Sequence, residues 1–123
     1  MRNQSRDKAI IENIKLHINR VNIVRNELSG YDEFMNNWKT QNIILFDLCQ
    51  IGELVNALSD EYLSSHPEID YIGIVGLRNR VIHGYSTVNY EIVWKIIENR
   101  IYVFPLAKAK NGDFVVGRAE DVQ

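Results

Sequence analysis

The chain has 123 residues, a length that suits one domain with a single hydrophobic core. Apolar residues make up 46% and charged residues 24%, and no apolar run reaches the roughly 18 residues of a membrane helix, so we expect a cytosolic globular protein. The net charge of −2 argues against a protein that coats nucleic acid nonspecifically, since that mode needs a large basic excess. A lone cysteine, Cys49, cannot form an internal disulfide, and it is predicted to be a small buried hydrophobic residue.

Helical spacing of apolar residues dominates the first half of the chain. A first helix ends at Ser29-Gly30, and Asp32 and Glu33 near the start of YDEFMNNWKT favour a second. A long third helix is predicted over 41–63, with residues 64–67 ending it. The residues that recur at steps of three and four are Ile10, Ile14, Ile18, Val21, Val24 and Leu28 in the first helix and Ile44, Leu48, Ile51, Val55 and Leu58 in the third.

The second half carries two more helical patterns and a tail. The pattern over 69–83 predicts a fourth helix, in which Gly73 and Gly76 narrow the surface so that a neighbour can pack closely. A fifth helix is predicted over 90–104, ending before Pro105, and the segment FVV (114–116) is either a short strand or part of a loose tail. We therefore predict an all-α antiparallel bundle of four to five helices over residues 1–106, followed by a tail, 107–123, of unassigned role.

The stretch RNRVIHGY (78–85) concentrates polar chemistry at the end of the fourth helix, within a segment that holds a local excess of positive charge. Asn79 and His83 are four residues apart and share a helix face, whereas Arg78 and His83 diverge by roughly 140°. The long Arg78 side chain can fold toward the histidine, or a second copy across a two-fold axis can supply its own pair. Gly84 is predicted to end the helix, which leaves Tyr85 at a loop edge.

The spacing R-x-x-x-x-H-x-Y, set in GLRNRVIHGY and followed by VNYEIVWKIIEN, resembles the HepT-like branch of the HEPN superfamily. Four further segments resemble the same branch in order along the chain, and together they extend the resemblance from about residue 6 to about residue 106. These segments are Arg6-Asp7, SGYDEF, QIGELVNALSDEY and HPEIDYIGIVGLRN. The tail has no counterpart in the resemblance.

The resemblance implies a helical homodimer that is an endoribonuclease toxin of a type VII-like toxin–antitoxin system and uses neither metal nor cofactor. It further implies a minimal nucleotidyltransferase as the antitoxin. Arg78 and His83 match the catalytic motif, Asn79 a supporting polar position, and Tyr85 the position that the antitoxin modifies with AMP.

These roles are also chemically reasonable. A histidine with an ordinary pKa near 6.5 can take the 2′-hydroxyl proton of RNA at neutral pH, so His83 is the candidate general base and acid. An arginine can meet the charge that gathers on the phosphorane with two donors, and Arg78 fits the motif better than Arg80. Asn79 either hydrogen-bonds the His83 ring or caps nearby backbone, and Arg80 either contacts RNA or only interacts with the helix dipole.

Two other functions stay open on the sequence alone. The first is a noncatalytic HEPN-type module that binds a nucleotidyltransferase. The second is a plain helical dimer whose polar stretch lines an interface, with a solvated His83 and a Tyr85 that packs against its neighbours. His17 and His66 lack partners at metal-ligand spacing, so no metal site is predicted, and Glu53 is predicted to bond across the bundle or to solvent.

Overall fold

The computed structural model describes residues 2–67, 69–98, 101–103 and 116–118. Its helices confirm the predicted all-α class, and a short antiparallel pair of strands follows them. The elements are α1 (Arg2–Asn26), α2 (Tyr31–Met35), α3 (Trp38–Asn56), α4 (Asp60–Ser65), α5 (Tyr71–His83), a 3₁₀ turn (Tyr85–Thr87), α6 (Tyr90–Ile97), β1 (Ile101–Val103) and β2 (Val116–Arg118).

The core lies between α3 and the two helices that flank it, α1 and α5. Both neighbours run antiparallel to α3. Along α1, Asp7 bonds Ser59 and His17 bonds Asp47, and along α5, Tyr71 bonds Asn56 and Tyr85 bonds Asn42. The predicted apolar stripes of the first and third helices fill this core, with α2 and α6 closing one end of it. Fully buried side chains include Ile14, Val21, Phe34, Ile44, Leu45, Val55, Val93 and Ile97. Burying each contributes about 1.5–3 kcal/mol.

The predicted long third helix, 41–63, is wrong: α3 ends at Asn56 and a separate helix, α4, follows. The break has a tertiary cause. Asp7 of α1 is buried and accepts hydrogen bonds from the Ser59 backbone N–H at 2.9 Å and from the Ser59 hydroxyl at 2.6 Å. Ser59 in turn accepts from the Tyr62 N–H and so caps α4, which makes a new helix start where the apolar spacing had run on.

The predicted second helix is also divided differently, because YDEFMNNWKT contributes α2 and the beginning of α3. Asn37 stands between them, and its side chain accepts the Thr40 N–H at 3.0 Å. This N-cap fixes Trp38 as the first residue of α3. The bundle therefore has six α-helices within the described residues, two of them short, rather than the four to five predicted.

The predicted fifth helix, 90–104, is too long, because α6 ends at Ile97 and residues 101–103 form β1. β1 pairs with β2 in the register Ile101↔Arg118, Tyr102↔Gly117 and Val103↔Val116. The sequence Ile-Tyr-Val favours a strand once a partner supplies ladder hydrogen bonds. Of the predicted FVV segment, only Val116 is described, and it lies in β2. Pro105 lies outside the described residues, and of the tail, 107–123, only β2 is described. The domain boundary at residue 106 therefore stays a prediction.

Among the helices described, none combines the length and the apolar character needed to cross a membrane.

Candidate active site

The polar stretch 78–85 spans the end of α5 and the turn after it, as the sequence predicted. Gly84 ends the helix, and its N–H donates to the Arg80 carbonyl at 2.9 Å. A Cβ on Gly84 would lie 2.7 Å from the Thr87 hydroxyl oxygen, which itself donates to the Gly84 carbonyl. A larger residue at this position would therefore displace the Thr87 side chain from the helix end.

Asn79, Arg80 and His83 are all exposed on the outer side of α5. Asn79 and His83 lie one turn apart on one face, as expected from their spacing. Within the described part of the chain, no hydrogen bond joins the Asn79 side chain to the His83 ring, so the structure does not pair them. His83 is presented to solvent, where a substrate can reach its ring.

Arg78 lies on a different side of α5, in the contact between α3 and α5. Its side chain is only 17% exposed, and its Nη1 atom is 3.5 Å from Glu53 Oε2 on α3. The Nε atom is buried without a hydrogen-bond partner among the described residues. The guanidinium thus turns toward α3 and not toward His83, whereas Glu53 bonds across the bundle as predicted. A single chain therefore does not present Arg78 and His83 side by side.

Gly52 makes this position of Arg78 possible. A Cβ on Gly52 would lie 2.8 Å from Arg78 Cβ and 3.1 Å from the Ile74 carbonyl oxygen. The close helix approach that the sequence placed at Gly73 and Gly76 therefore occurs at Gly52 instead. A Cβ on Gly76 would meet nothing within 4 Å, and one on Gly73 would meet only Asp70, which caps its own helix. The sequence signal was the small residue one position before Glu53.

Cys49 lies one turn before Glu53 on the same side of α3 and is half-buried. Burial raises the pKa of the Cys49 thiol, the Glu53 carboxylate raises it further, and Arg78 partly offsets both. The predicted buried hydrophobe is therefore a neutral thiol at the edge of the site. Its weak reactivity follows, because the thiolate is the nucleophilic form.

Tyr85 has an exposed ring, and its hydroxyl donates a hydrogen bond to Asn42 Oδ1 of α3. The neighbouring Tyr90 has a raised pKa because of burial and because of its proximity to Tyr85. The sequence does not predict the role of Asn42, because Asn42 is 43 residues from Tyr85 and belongs to no motif. The structure thus anchors the Tyr85 hydroxyl on α3 at the rim of the same surface.

Apolar side chains surround the site without being covered. Ile72 is 84% exposed, and it lines up along α5 with Gly76, Asn79 and His83. Ile82 and Phe46 are also exposed on the helices that carry the site. The face of α5 that bears Asn79 and His83 is therefore partly apolar, and no described helix packs on it.

A second polar cluster, which the sequence did not reveal, joins α1 to α3. Asp47 is fully buried, and its Oδ1 atom lies 2.8 Å from His17 Nδ1 and 3.6 Å from Arg20 Nη2. The Oδ2 atom has no hydrogen-bond partner among the described residues. This cluster lies between α1 and α3 and is separate from residues 78–85 at the end of α5. It therefore serves as a link between the two helices. Across the described segments, no three His, Cys, Asp or Glu side chains are grouped so as to hold a metal ion.

Comparison with protein families matches residues 11–108 to the family described as ribonuclease HepT-like. The chain belongs to this family. The matched range contains the whole of 78–85 and the α3 residues that contact it, so the site described above lies within the HepT-like domain.

Named relatives agree with the family. A protein of Methanocaldococcus jannaschii named "Putative RNase" is 35% identical over 92 residues, which cover 75% of this chain and 72% of the relative. A second protein of that organism with the same name is 31% identical over 71 residues, or 58% of this chain and 65% of the relative. "Probable ribonuclease HepT" of Thermococcus cleftensis is 28% identical over 71 residues, which cover 58% of this chain and 64% of the relative. No solved structure matches the chain.

Proposed function

We propose that this HepT-like chain is a metal-independent endoribonuclease toxin that acts as a homodimer and that a partner nucleotidyltransferase neutralises by transferring AMP to Tyr85. The family match and the names of the relatives support the ribonuclease activity. The observation that carries the proposal is that the motif residues all belong to the last two turns of α5 and the turn after it, with the His83 side chain exposed.

In this mechanism His83 takes the proton of a 2′-hydroxyl, and the oxygen attacks the adjacent phosphorus. The same ring then returns a proton to the leaving 5′-oxygen, which leaves a 2′,3′-cyclic phosphate. Asn79, one turn away on the same face, supports the bound substrate or the ring through a hydrogen bond made on binding. The exposed Arg80 is available to contact the RNA backbone.

Arg78 stabilises the charge that develops on the phosphorane. Its guanidinium is fixed against α3 by Glu53, so little rotamer freedom is left to lose when phosphate binds. Because Arg78 and His83 lie on different sides of one α5, we propose that the working pair forms across a two-fold axis. The exposed Ile82, one turn beyond Arg78 on α5, gives apolar surface against which a second copy can pack.

Tyr85 suits the role of a modified residue because its ring is exposed and its hydroxyl is held at a fixed place by Asn42. AMP on this hydroxyl would add phosphate charge near Arg78 and His83 and would occupy the space that RNA needs. Inhibition would follow from both effects.

The decisive experiment is incubation of purified wild-type and His83→Ala protein with mixed RNA in excess EDTA, with analysis of the product ends. Cleavage by wild type alone, leaving 2′,3′-cyclic phosphates, is the expected result. Since His83 is exposed and unbonded within the described residues, His83→Ala should change the free energy of unfolding by no more than ~0.5 kcal/mol. Thermal unfolding of the variant controls for that.

Absence of cleavage by both proteins, in preparations whose sedimentation shows a dimer, would contradict the endoribonuclease and favour a noncatalytic module that binds a nucleotidyltransferase. Modification is tested separately by mass spectrometry after incubation with the cognate nucleotidyltransferase and ATP. We expect one added AMP in wild type and none in Tyr85→Phe. AMP found elsewhere on the chain would refute the assignment of Tyr85.

A further inference from the structure

Trp38, the first residue of α3, is an exposed aromatic side chain in a region rich in polar residues. It is 66% exposed, whereas Trp94, the second tryptophan of the chain, is 8% exposed and belongs to the core. Tryptophan is enriched at contact surfaces, because its large ring gains burial energy there while its N–H can still find a partner.

The backbone at Trp38 is fixed by a helix cap, and a cation lies over its ring. The Asn37 cap holds the first turn of α3 in place through the Thr40 N–H. The Lys39 ammonium is 5.8 Å from the centre of the Trp38 ring. The surface thus offers a flat ring together with a positive charge.

Trp38 adjoins the candidate active site along α3. Asn42, which binds the Tyr85 hydroxyl, is one turn further on the same exposed side, and the exposed Phe46 follows after another turn. The position opposite Arg78, at Gly52, is ~21 Å from Trp38 at a rise of ~1.5 Å per residue. A row of aromatic and polar side chains therefore runs from Lys39 and Trp38 toward Arg78.

We propose that Trp38 and Lys39 form a subsite in which a base of single-stranded RNA stacks on the indole ring and its phosphate meets the ammonium. The inference rests on the proposed ribonuclease function and adds a place where substrate is held beyond the reacting phosphate. Bases of any identity stack on aromatic rings, so the subsite selects unpaired RNA and not a sequence.

The surroundings of Trp38 favour RNA over a second copy of the chain as the occupant. Its neighbours in sequence are Asn37, Lys39, Thr40, Gln41 and Asn42, so the ring stands in polar surroundings and not within a continuous apolar face. The adjacent Lys39 ammonium complements a phosphate.

The two tryptophans make a direct test possible. In the His83→Ala background, which prevents turnover, a single-stranded RNA of mixed sequence is titrated into the protein. Fluorescence anisotropy of the labelled RNA gives binding, and tryptophan emission reports stacking. We expect RNA to quench the Trp38 emission. Trp38→Ala should weaken RNA binding ~10-fold, because the stacking of one base on an aromatic ring contributes about that much to the affinity. Trp38→Phe, which keeps a ring, should retain most of the affinity.

Ile43→Ala is the matched control, because it removes another exposed apolar side chain of α3 that is not aromatic. It should leave RNA affinity unchanged. RNA binding with unquenched emission, or with the same affinity in Trp38→Ala, would overturn the subsite while leaving the ribonuclease proposal intact. No RNA binding by any variant, together with no cleavage by wild type, would overturn both. A Trp38→Ala protein that loses dimerisation in sedimentation would assign the ring to an interface between copies and would also overturn the subsite.

Discussion

Gly52→Ala and Gly76→Ala are the same substitution in two helices of the same bundle, and the structure predicts opposite effects. Glycine to alanine within a helix gains ~1 kcal/mol from backbone propensity. At Gly76 the added methyl group meets nothing within 4 Å, so that gain should appear as stabilisation. At Gly52 the methyl group would lie 2.8 Å from Arg78 Cβ and 3.1 Å from a backbone oxygen. Overpacking of this kind costs ~1–3 kcal/mol.

Because the propensity gain is common to both, Gly52→Ala should be ~1–3 kcal/mol less stable than Gly76→Ala. Urea denaturation curves fitted with a common m-value measure this difference in the free energy of unfolding. The protein concentration is chosen so that both variants have the same oligomeric state in sedimentation. Gly52→Ala should also lose RNA cleavage, because α5 must move away from α3 and carries Arg78 with it. Equal stability of the two variants would refute the close approach of the helices at Gly52.

Three more predictions follow from the contacts of α3 and α1. Glu53→Gln should speed alkylation of Cys49 by iodoacetamide at pH 8, since the carboxylate helps to raise the pKa of the thiol, whereas Glu12→Gln, in an exposed ion pair on α1, should not; equal rates would contradict this. His17→Ala should lower the free energy of unfolding by ~2 kcal/mol, because it removes the 2.8 Å hydrogen-bond partner of the buried Asp47 side chain and leaves Arg20 at 3.6 Å, and a loss under ~0.5 kcal/mol in urea denaturation would argue against the link. Asp7→Ala should cost ~2 kcal/mol and increase amide exchange at the start of α4, and unchanged exchange there would disprove its capping role.

Local patterns were sufficient for the helices whose apolar stripes face the core. The spacing of Ile14, Ile18 and Val21 predicts a helix because only a period of 3.6 places these side chains on one face, and all three are buried in α1. The end of α5 was likewise predictable from the motif at 78–85, because Gly84 ends the helix and the residues after it form the turn. The one-turn spacing of Asn79 and His83 follows from the same geometry.

Where the sequence failed, the deciding group came from elsewhere in the chain. Apolar spacing runs through Ser59, which caps α4 with its own side chain, and Asp7, 52 residues away, holds Ser59 in that position. The residues after Ile97 continue the helical pattern, but pairing with 116–118 makes 101–103 a strand. A period measured along one segment contains no information about a hydrogen-bond partner supplied by another.

The sequence by itself determined the all-α class, the family and the set of polar residues at the end of α5. Their type and spacing are local properties. The tertiary structure alone decided where the side chains go: Arg78 toward Glu53 on α3, Tyr85 onto Asn42, and His83 into solvent. The physical reason is that a side chain's direction depends on the space and charge that neighbouring helices offer, and Gly52 opens that space at one position of α3.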